Sequence, residues 1–106
     1  MVIKVPEKYD VCEKGVLVLA GAGKLIGIPG KEISYIAYVP SQNGNGIVIS
    51  LKNGNQIKWP ISKPGIYLRL LEMLRNCDRY FYVIKGADSM YIVENEIELG
   101  NVISGS

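Results

Sequence analysis

The alternation of apolar and polar positions between Gly46 and Asn76 predicts a β-hairpin followed by a helix. Apolar residues recur with a period of two on both sides of an Asn-Gly pair: Ile47, Ile49 and Leu51 before it, and Ile57, Trp59 and Ile61 after it. A period of two places these side chains on one face of a strand. The buried face of this hairpin therefore includes the only tryptophan of the chain.

The loop length sets which residues of the hairpin lie opposite each other. A two-residue loop sets Ile49 opposite Lys58, whereas a three-residue loop, Asn53 to Asn55, sets Ile49 opposite Trp59 and Leu51 opposite Ile57. Since a slip of one residue moves every side chain to the other face, the apolar pattern favours the three-residue loop. Asn55 is then expected in the left-handed conformation, which asparagine tolerates.

A helix is predicted over residues 63–76, after Pro60 ends the strand. Pro64 suits a first helical turn, where its missing N–H has no partner in any case. The residues with the spacing of a core-facing stripe are Ile66, Leu70, Met73, Leu74 and Cys77. The opposite, solvated face is predicted to contain Arg69, Glu72 and Asn76.

The remaining segments favour short strands separated by glycine and proline. The predicted strands are Val2 to Val5, Val16 to Ala20, Lys24 to Ile28, Ile33 to Val39, Tyr80 to Ile84 and Met90 to Leu99. In the last of these, Glu94, Glu96 and Glu98 would line one face, unless Glu94-Asn95 turns the chain into a short hairpin. Residues 41–46 are predicted to connect two strands, with a binding loop as the alternative.

Together these elements predict one α+β domain, mostly β, over residues 1–106. Its strands would form a curved antiparallel sheet or a partly open barrel of about six to eight strands, with a single helix. Residues 16–76 resemble the pleckstrin-homology-like superfold in their order of elements. The resemblance rests on Lys24-Leu-Ile-Gly-Ile28, Ile33-Ser-Tyr-Ile36, Ile47-Val-Ile-Ser-Leu51, Gln56-Ile-Lys-Trp59 and the helix with Ile66, Leu70 and Leu74. It implies a sheet closed at one corner by the helix, in a domain that serves as an interaction module.

The composition argues against an enzyme. The chain has 106 residues and no histidine, which removes the commonest general base, the usual zinc ligand and the histidine-dependent catalytic triads. The glycines of Ala20-Gly-Ala-Gly-Lys24 fit neither a phosphate-binding loop nor a dinucleotide fingerprint and predict a hairpin turn. We expect no catalytic residues, cofactor or metal; an enzyme that uses Asp88, Glu94 or Glu96 with a metal is the least favoured hypothesis.

The cysteines and the hydrophobic runs suggest a location. Cys12 and Cys77 stand far apart, as expected of two buried thiols, although a disulfide stays open. No apolar run reaches the length of a membrane-spanning helix, and the first residues lack the layout of a signal peptide. A cytoplasmic protein is therefore expected.

Two hypotheses for function follow. The first is a protein-interaction or assembly module that binds another protein or a second copy of itself, through Tyr67, Leu68, Leu71, Tyr80 and Tyr82. The second is binding of nucleic acid or anionic lipid through Lys24, Lys31, Lys52, Lys58 and Lys63. The net charge is only +2, but no Lys or Arg follows Lys85, whereas four carboxylates do, so residues 1–85 carry +6. A core position for Trp59 weakens the second hypothesis, because it removes the aromatic platform from the lysines.

Overall fold

The fold contains eight strands and two α-helices in the part of the chain that the structure describes. This computed structural model describes residues 2–4, 15–42, 44–76 and 80–104, with the backbone alone for residues 2–4 and 76. The strands are β1 (Val2–Lys4), β2 (Val16–Gly21), β3 (Lys24–Pro29), β4 (Ile33–Val39), β5 (Gly46–Leu51), β6 (Gln56–Pro60), β7 (Phe81–Lys85) and β8 (Ser89–Val93). The helices are α1 (Pro64–Asn76) and α2 (Glu96–Ser104). The predicted class, α+β and mostly β, is confirmed.

The strands form two four-stranded sheets. The first sheet has the order β1-β4-β5-β6 and is antiparallel throughout. The second has the order β3-β2-β7-β8, and its central pair, β2 and β7, is parallel. A parallel pair needs a long connection between its strands. Here that connection comprises β3, strands β4 to β6 of the first sheet, and α1.

The main core lies between the two sheets and α1. Its fully buried residues come from all three layers, for example Leu19 from β2, Ile49 from β5 and Leu70 from α1. A smaller cluster on the other face of the second sheet joins Val18, Val83 and Val93. The radius of gyration, 13.0 Å, is that expected of one compact unit of this length.

The helix prediction for residues 63–76 is confirmed by α1. The predicted stripe is buried at Ile66, Leu70, Met73 and Leu74. Arg69 and Glu72 are exposed, as predicted. The predicted positions of Cys77 and of the Asn76 side chain lie outside the described residues, as does any pairing of Cys12 with Cys77.

The β5–β6 hairpin has the predicted three-residue loop, but two residues out of the predicted register. Ile47 pairs with Trp59 and Ile49 with Ile57, so the loop is residues 52–54. Gly54, with φ of +94°, takes the left-handed position that was predicted for Asn55. Glycine has no Cβ and adopts this conformation without steric cost. Asparagine has a Cβ and incurs that cost. Because the shift is by two residues, both predicted faces are preserved, and Trp59 lies in the core.

The prediction of a strand or a hairpin over Met90 to Leu99 is wrong beyond Val93. Asn95 caps α2: its Oδ1 accepts a hydrogen bond of 2.8 Å from the Glu98 backbone N–H. Glutamates in the first turn also favour a helix, because they face the positive end of its dipole. One side of α2 then covers the second sheet through Leu99, Val102 and Ile103. The Asn-x-x-Glu spacing is the sequence signal for this helix start.

Candidate interaction edge and basic hollow

Strand β8 is an edge of the second sheet whose outer side is unpaired within the described chain. Its sequence, Ser-Met-Tyr-Ile-Val, contains neither a charged residue nor a proline. Two of its large side chains are partly in solvent, Tyr91 with 43% and Ile92 with 45% of its surface exposed. An edge strand points alternate N–H and C=O groups away from its sheet, where another strand can bind them. Strand β8 therefore presents both hydrogen-bonding groups and apolar side chains.

The other three edge strands have the features that discourage such pairing. Strand β1 contains Lys4, β3 contains Lys24 and Pro29, and β6 contains Lys58 and Pro60. Lysine must be desolvated in a paired edge, and proline has no N–H to donate. Among the edges that the structure describes, β8 alone lacks both residue types.

Carboxylates flank this strand at both ends. Asp88 precedes it in the β7–β8 turn, and Glu94 follows it; both are exposed. Glu96 lies in the first turn of α2 and is exposed as well. Glu98 is used locally, since its Oε2 accepts a hydrogen bond from the Glu94 N–H at 3.3 Å. The charged residues that immediately flank β8 in the sequence and begin the following helix are therefore all acidic, in a chain with a net charge of +2.

The five residues predicted for protein contact occupy different environments. Tyr67 and Tyr82 are 3% exposed and belong to the core. Leu71 and Tyr80 are half-buried against that core, and Leu68 is 55% exposed. The role of the set stays a prediction, but its accessible part is Leu68 with the outer portions of Leu71 and Tyr80.

Tyr67 makes an aromatic contact in the core. Its ring centroid is 5.5 Å from that of Tyr38, with 36° between the ring planes. Burial raises the pKa of Tyr67 above its ordinary value of 10.0, because desolvation disfavours the phenolate.

Sequence reasoning did not single out Tyr91 and Ile92 as exposed apolar residues of an edge strand. The available signal was the uncharged run Met90 to Val93 inside an acidic segment. That run does not reveal which side of the strand lacks a neighbour, because strand order depends on the whole topology.

Two of the five predicted anion-binding lysines lie together. Lys24 and Lys58 line a hollow of 260 Å³ where the β2–β3 turn, the β7–β8 turn and β6 converge. Among the described residues no acidic side chain lines it, and neither lysine makes a hydrogen bond or ion pair with any of them. Two unpaired ammonium groups favour an anion in this hollow.

The walls of the hollow are held by hydrogen bonds that join the β7–β8 turn to β6, to β2 and to the connection after β6. Trp59 Nε1 donates to the Gly86 carbonyl at 2.8 Å, and the Gly86 N–H donates to the Ala20 carbonyl at 2.7 Å. The Ser62 N–H donates to the Ala87 carbonyl at 2.6 Å. The side chain of Trp59 is 7% exposed, so it is a wall of the hollow and not an open stacking platform.

The other three predicted lysines, Lys31, Lys52 and Lys63, are exposed but do not line this hollow. A larger cavity of 340 Å³ also has Lys58 and Pro60 in its wall. Its wall includes Ser41, Gly44 and Asn45 from the β4–β5 connection, which is the loop considered as a binding loop. Val39 and Val48 give this cavity a largely apolar lining.

Two further observations concern metals and membranes. The described residues contain no group of three or more His, Cys, Asp or Glu that could hold a metal ion. Within the same ranges, neither α1 nor α2 has the length and apolar character needed to cross a bilayer.

Comparisons with known proteins identify no relative. No protein-family model matches the chain, and neither the curated proteins nor the solved structures contain a match.

Proposed function

We propose that this protein is a non-catalytic, cytoplasmic interaction module that binds a protein partner along the β8 edge. The observation that carries the proposal is the contrast between edges. Strand β8 lacks the lysine and proline residues of β1, β3 and β6, and it exposes Tyr91 and Ile92. Addition of a strand to such an edge is a recurring mode of protein recognition, in which main-chain hydrogen bonds supply much of the affinity.

Two further features support a binding role for this surface. One face of the β8 edge is packed against other elements, because Val93 of β8 and Val83 of the neighbouring β7 are buried in the cluster that α2 covers. A surface that is already ordered loses little conformational entropy on binding. Ile97, on the helix α2 that follows β8, is 79% exposed and adds exposed apolar surface.

The proposal is tested by placing a charge on the edge. Ile92→Lys is expected to abolish association, because a paired strand would bury the ammonium group. Leu25→Lys is the matched control, since Leu25 is 59% exposed on an edge that already contains Lys24. Sedimentation velocity and affinity capture compare the wild-type chain with both variants. The proposal fails if the wild-type chain is monomeric and captures nothing, or if both variants lose association equally.

A second candidate function is the binding of an anionic group in the hollow beside Lys24 and Lys58. It is favoured because, in the part of the chain that the structure describes, neither ammonium group has a partner and no acidic residue lines the hollow. The class includes the phosphates of single-stranded nucleic acid and those of anionic lipid.

The double variant Lys24→Gln/Lys58→Gln distinguishes anion binding in this hollow from nonspecific attraction of anions to positive charge elsewhere on the protein. A single-stranded oligonucleotide and a vesicle containing phosphatidylserine are the two probes. We expect binding by one of them that weakens with salt, is lost in the double variant Lys24→Gln/Lys58→Gln and persists in Lys31→Gln/Lys52→Gln, which removes the same charge elsewhere. Equal loss in both variants would exclude the hollow.

A further inference from the structure

We infer that the β8 edge, as the binding surface of the proposed function, accepts an extended segment of another protein with basic residues on both sides of an apolar centre. The inference rests on that proposed function and adds the chemistry of the partner. It follows from the charges around the strand, its length and the faces on which its side chains lie.

The carboxylates at the two ends of β8 favour basic residues at both ends of the partner's segment. Asp88 stands at the start of β8, and Glu94 and Glu96 stand beyond its end. Nothing basic follows Lys85 in the sequence. The Lys85 Nζ donates to the Val102 carbonyl at 3.0 Å, so this cation is directed to the C-terminal part of α2. A neutral or acidic segment would leave the flanking carboxylates uncompensated, whereas Lys or Arg would pair with them.

The same charges disfavour a second copy of this chain. In a two-fold symmetric pair the two β8 strands would run antiparallel, and full overlap about Tyr91 would set Asp88 of one copy opposite Glu94 of the other. That arrangement would occur twice, once at each end of the paired strands. Like charges directly opposite each other destabilise a strand pair.

The strand length and faces define the centre of the segment. Five residues of β8 span about 17 Å, so a segment of about seven residues would pair along it and reach the carboxylates at both ends. Tyr91 lies opposite Val83, on the face covered by α2, and Ile92 lies opposite Tyr82, on the face of the main core. An incoming strand would meet an apolar neighbour on each face of the sheet.

The test uses defined peptides with the wild-type chain. The basic probe is Lys-Lys-Val-Thr-Val-Thr-Val-Lys-Lys, and the acidic probe has Glu in place of every Lys. Fluorescence anisotropy measures affinity, and amide chemical shifts locate the site. We expect the basic peptide to bind at least about tenfold more tightly than the acidic one and to shift the amides of Ser89 to Val93.

Neutral variants test the charges themselves. Asp88→Asn/Glu94→Gln is expected to weaken binding of the basic peptide by about fivefold. Glu32→Gln/Glu72→Gln removes the same charge from two exposed sites on other elements and is expected to leave the affinity unchanged. Neither variant pair involves Glu98, whose carboxylate accepts a hydrogen bond from the Glu94 N–H.

The outcomes separate this inference from the proposed function. Equal binding of both peptides at β8 would overturn the partner chemistry and leave the interaction edge in place. A dimer that Ile92→Lys dissociates would also overturn it, in favour of a second copy. If no peptide shifts the β8 amides and the chain associates with nothing, the inference and the proposed function both fail.

Discussion

The indole of Trp59 and the carbonyl of Gly86 join the two sheets. Trp59 lies on β6 in the first sheet, and its Nε1 donates a hydrogen bond of 2.8 Å to Gly86, in the β7–β8 turn of the second. The same turn leads directly into the candidate interaction edge. The contact therefore connects the core to both candidate sites, because it also forms a wall of the hollow beside Lys24.

Trp59→Phe is expected to lower the free energy of unfolding by about 1 to 3 kcal/mol, because it removes the donor from a partly buried carbonyl. Urea denaturation followed by circular dichroism measures the change. Tyr91→Phe removes an exposed hydroxyl and is expected to stay within about 0.5 kcal/mol of the wild-type chain. Equal effects of the two substitutions would contradict the role given to the indole hydrogen bond.

Gly21→Ala is expected to destabilise the protein by about 1 to 3 kcal/mol through crowding at this junction. A Cβ on Gly21 would lie 3.3 Å from both the Gly86 Cα and the Trp59 Cζ2. Gly27→Ala is the control on the neighbouring strand, since a Cβ there meets nothing within 4 Å. Thermal unfolding compares the two variants, and the fluorescence of Trp59 is expected to change only in Gly21→Ala. A neutral Gly21→Ala would mean that the turn and the indole move apart easily.

Gly54→Ala is expected to cost about 1 to 2 kcal/mol, because Gly54 has φ of +94° and alanine is strained there. Asn55→Ala is expected to have little effect, since Asn55 does not occupy the left-handed position. Chemical denaturation measures the loss of stability in each variant. If Asn55 instead occupied the left-handed position, Asn55→Ala would change the stability more than Gly54→Ala.

Asn95→Ala is expected to cost about 1 kcal/mol by removing the cap of α2. Because α2 covers Val83 and Val93 from one side only, the loss should appear as faster hydrogen exchange in α2 before any effect on the main core. Asn101→Ala lies in the exposed part of the same helix and serves as the control. Similar exchange rates in the two variants would argue against the cap.

The raised pKa of Tyr67 predicts a loss of stability at alkaline pH. Its neutral form is favoured in the folded state, so its contribution is fully present below pH 10.0, the ordinary value, and is lost as the pH rises through the higher folded pKa. Tyr67→Phe is expected to make the free energy of unfolding less dependent on pH above 10.0 than it is in the wild-type chain. Denaturation curves across that range measure the difference, and parallel pH profiles would contradict it.

The local elements were largely predictable, and the errors have identifiable causes. Hairpin faces followed from the period-two pattern, and α1 followed from Pro64 and the apolar stripe. The register was wrong by two residues because the apolar pattern is satisfied equally by both alignments, and the conformation of Gly54 decides between them. Glutamates at alternate positions fit one face of a strand as well as the first turn of a helix, and the hydrogen bond from the Glu98 N–H to Asn95 decides for the helix.

The candidate sites were less predictable, since they depend on distant segments. Lys24 and Lys58 are 34 positions apart, and only the approach of two turns to β6 brings them to one hollow. Tyr67 and Tyr82 were predicted at a contact surface, although the sandwich of sheets and α1 buries both.

The β-rich class, the position of α1 and the core location of Trp59 follow from the amino-acid sequence, because periodicity and turn residues act over short distances. The tertiary structure alone decided that β2 pairs in parallel with β7 and that β8 is left at an edge. Strand order is settled by which packing buries the most apolar surface across the whole chain, and no local pattern records it. The surface proposed for partner binding is therefore a property of the fold, carried by residues whose sequence pattern shows only that they form a strand.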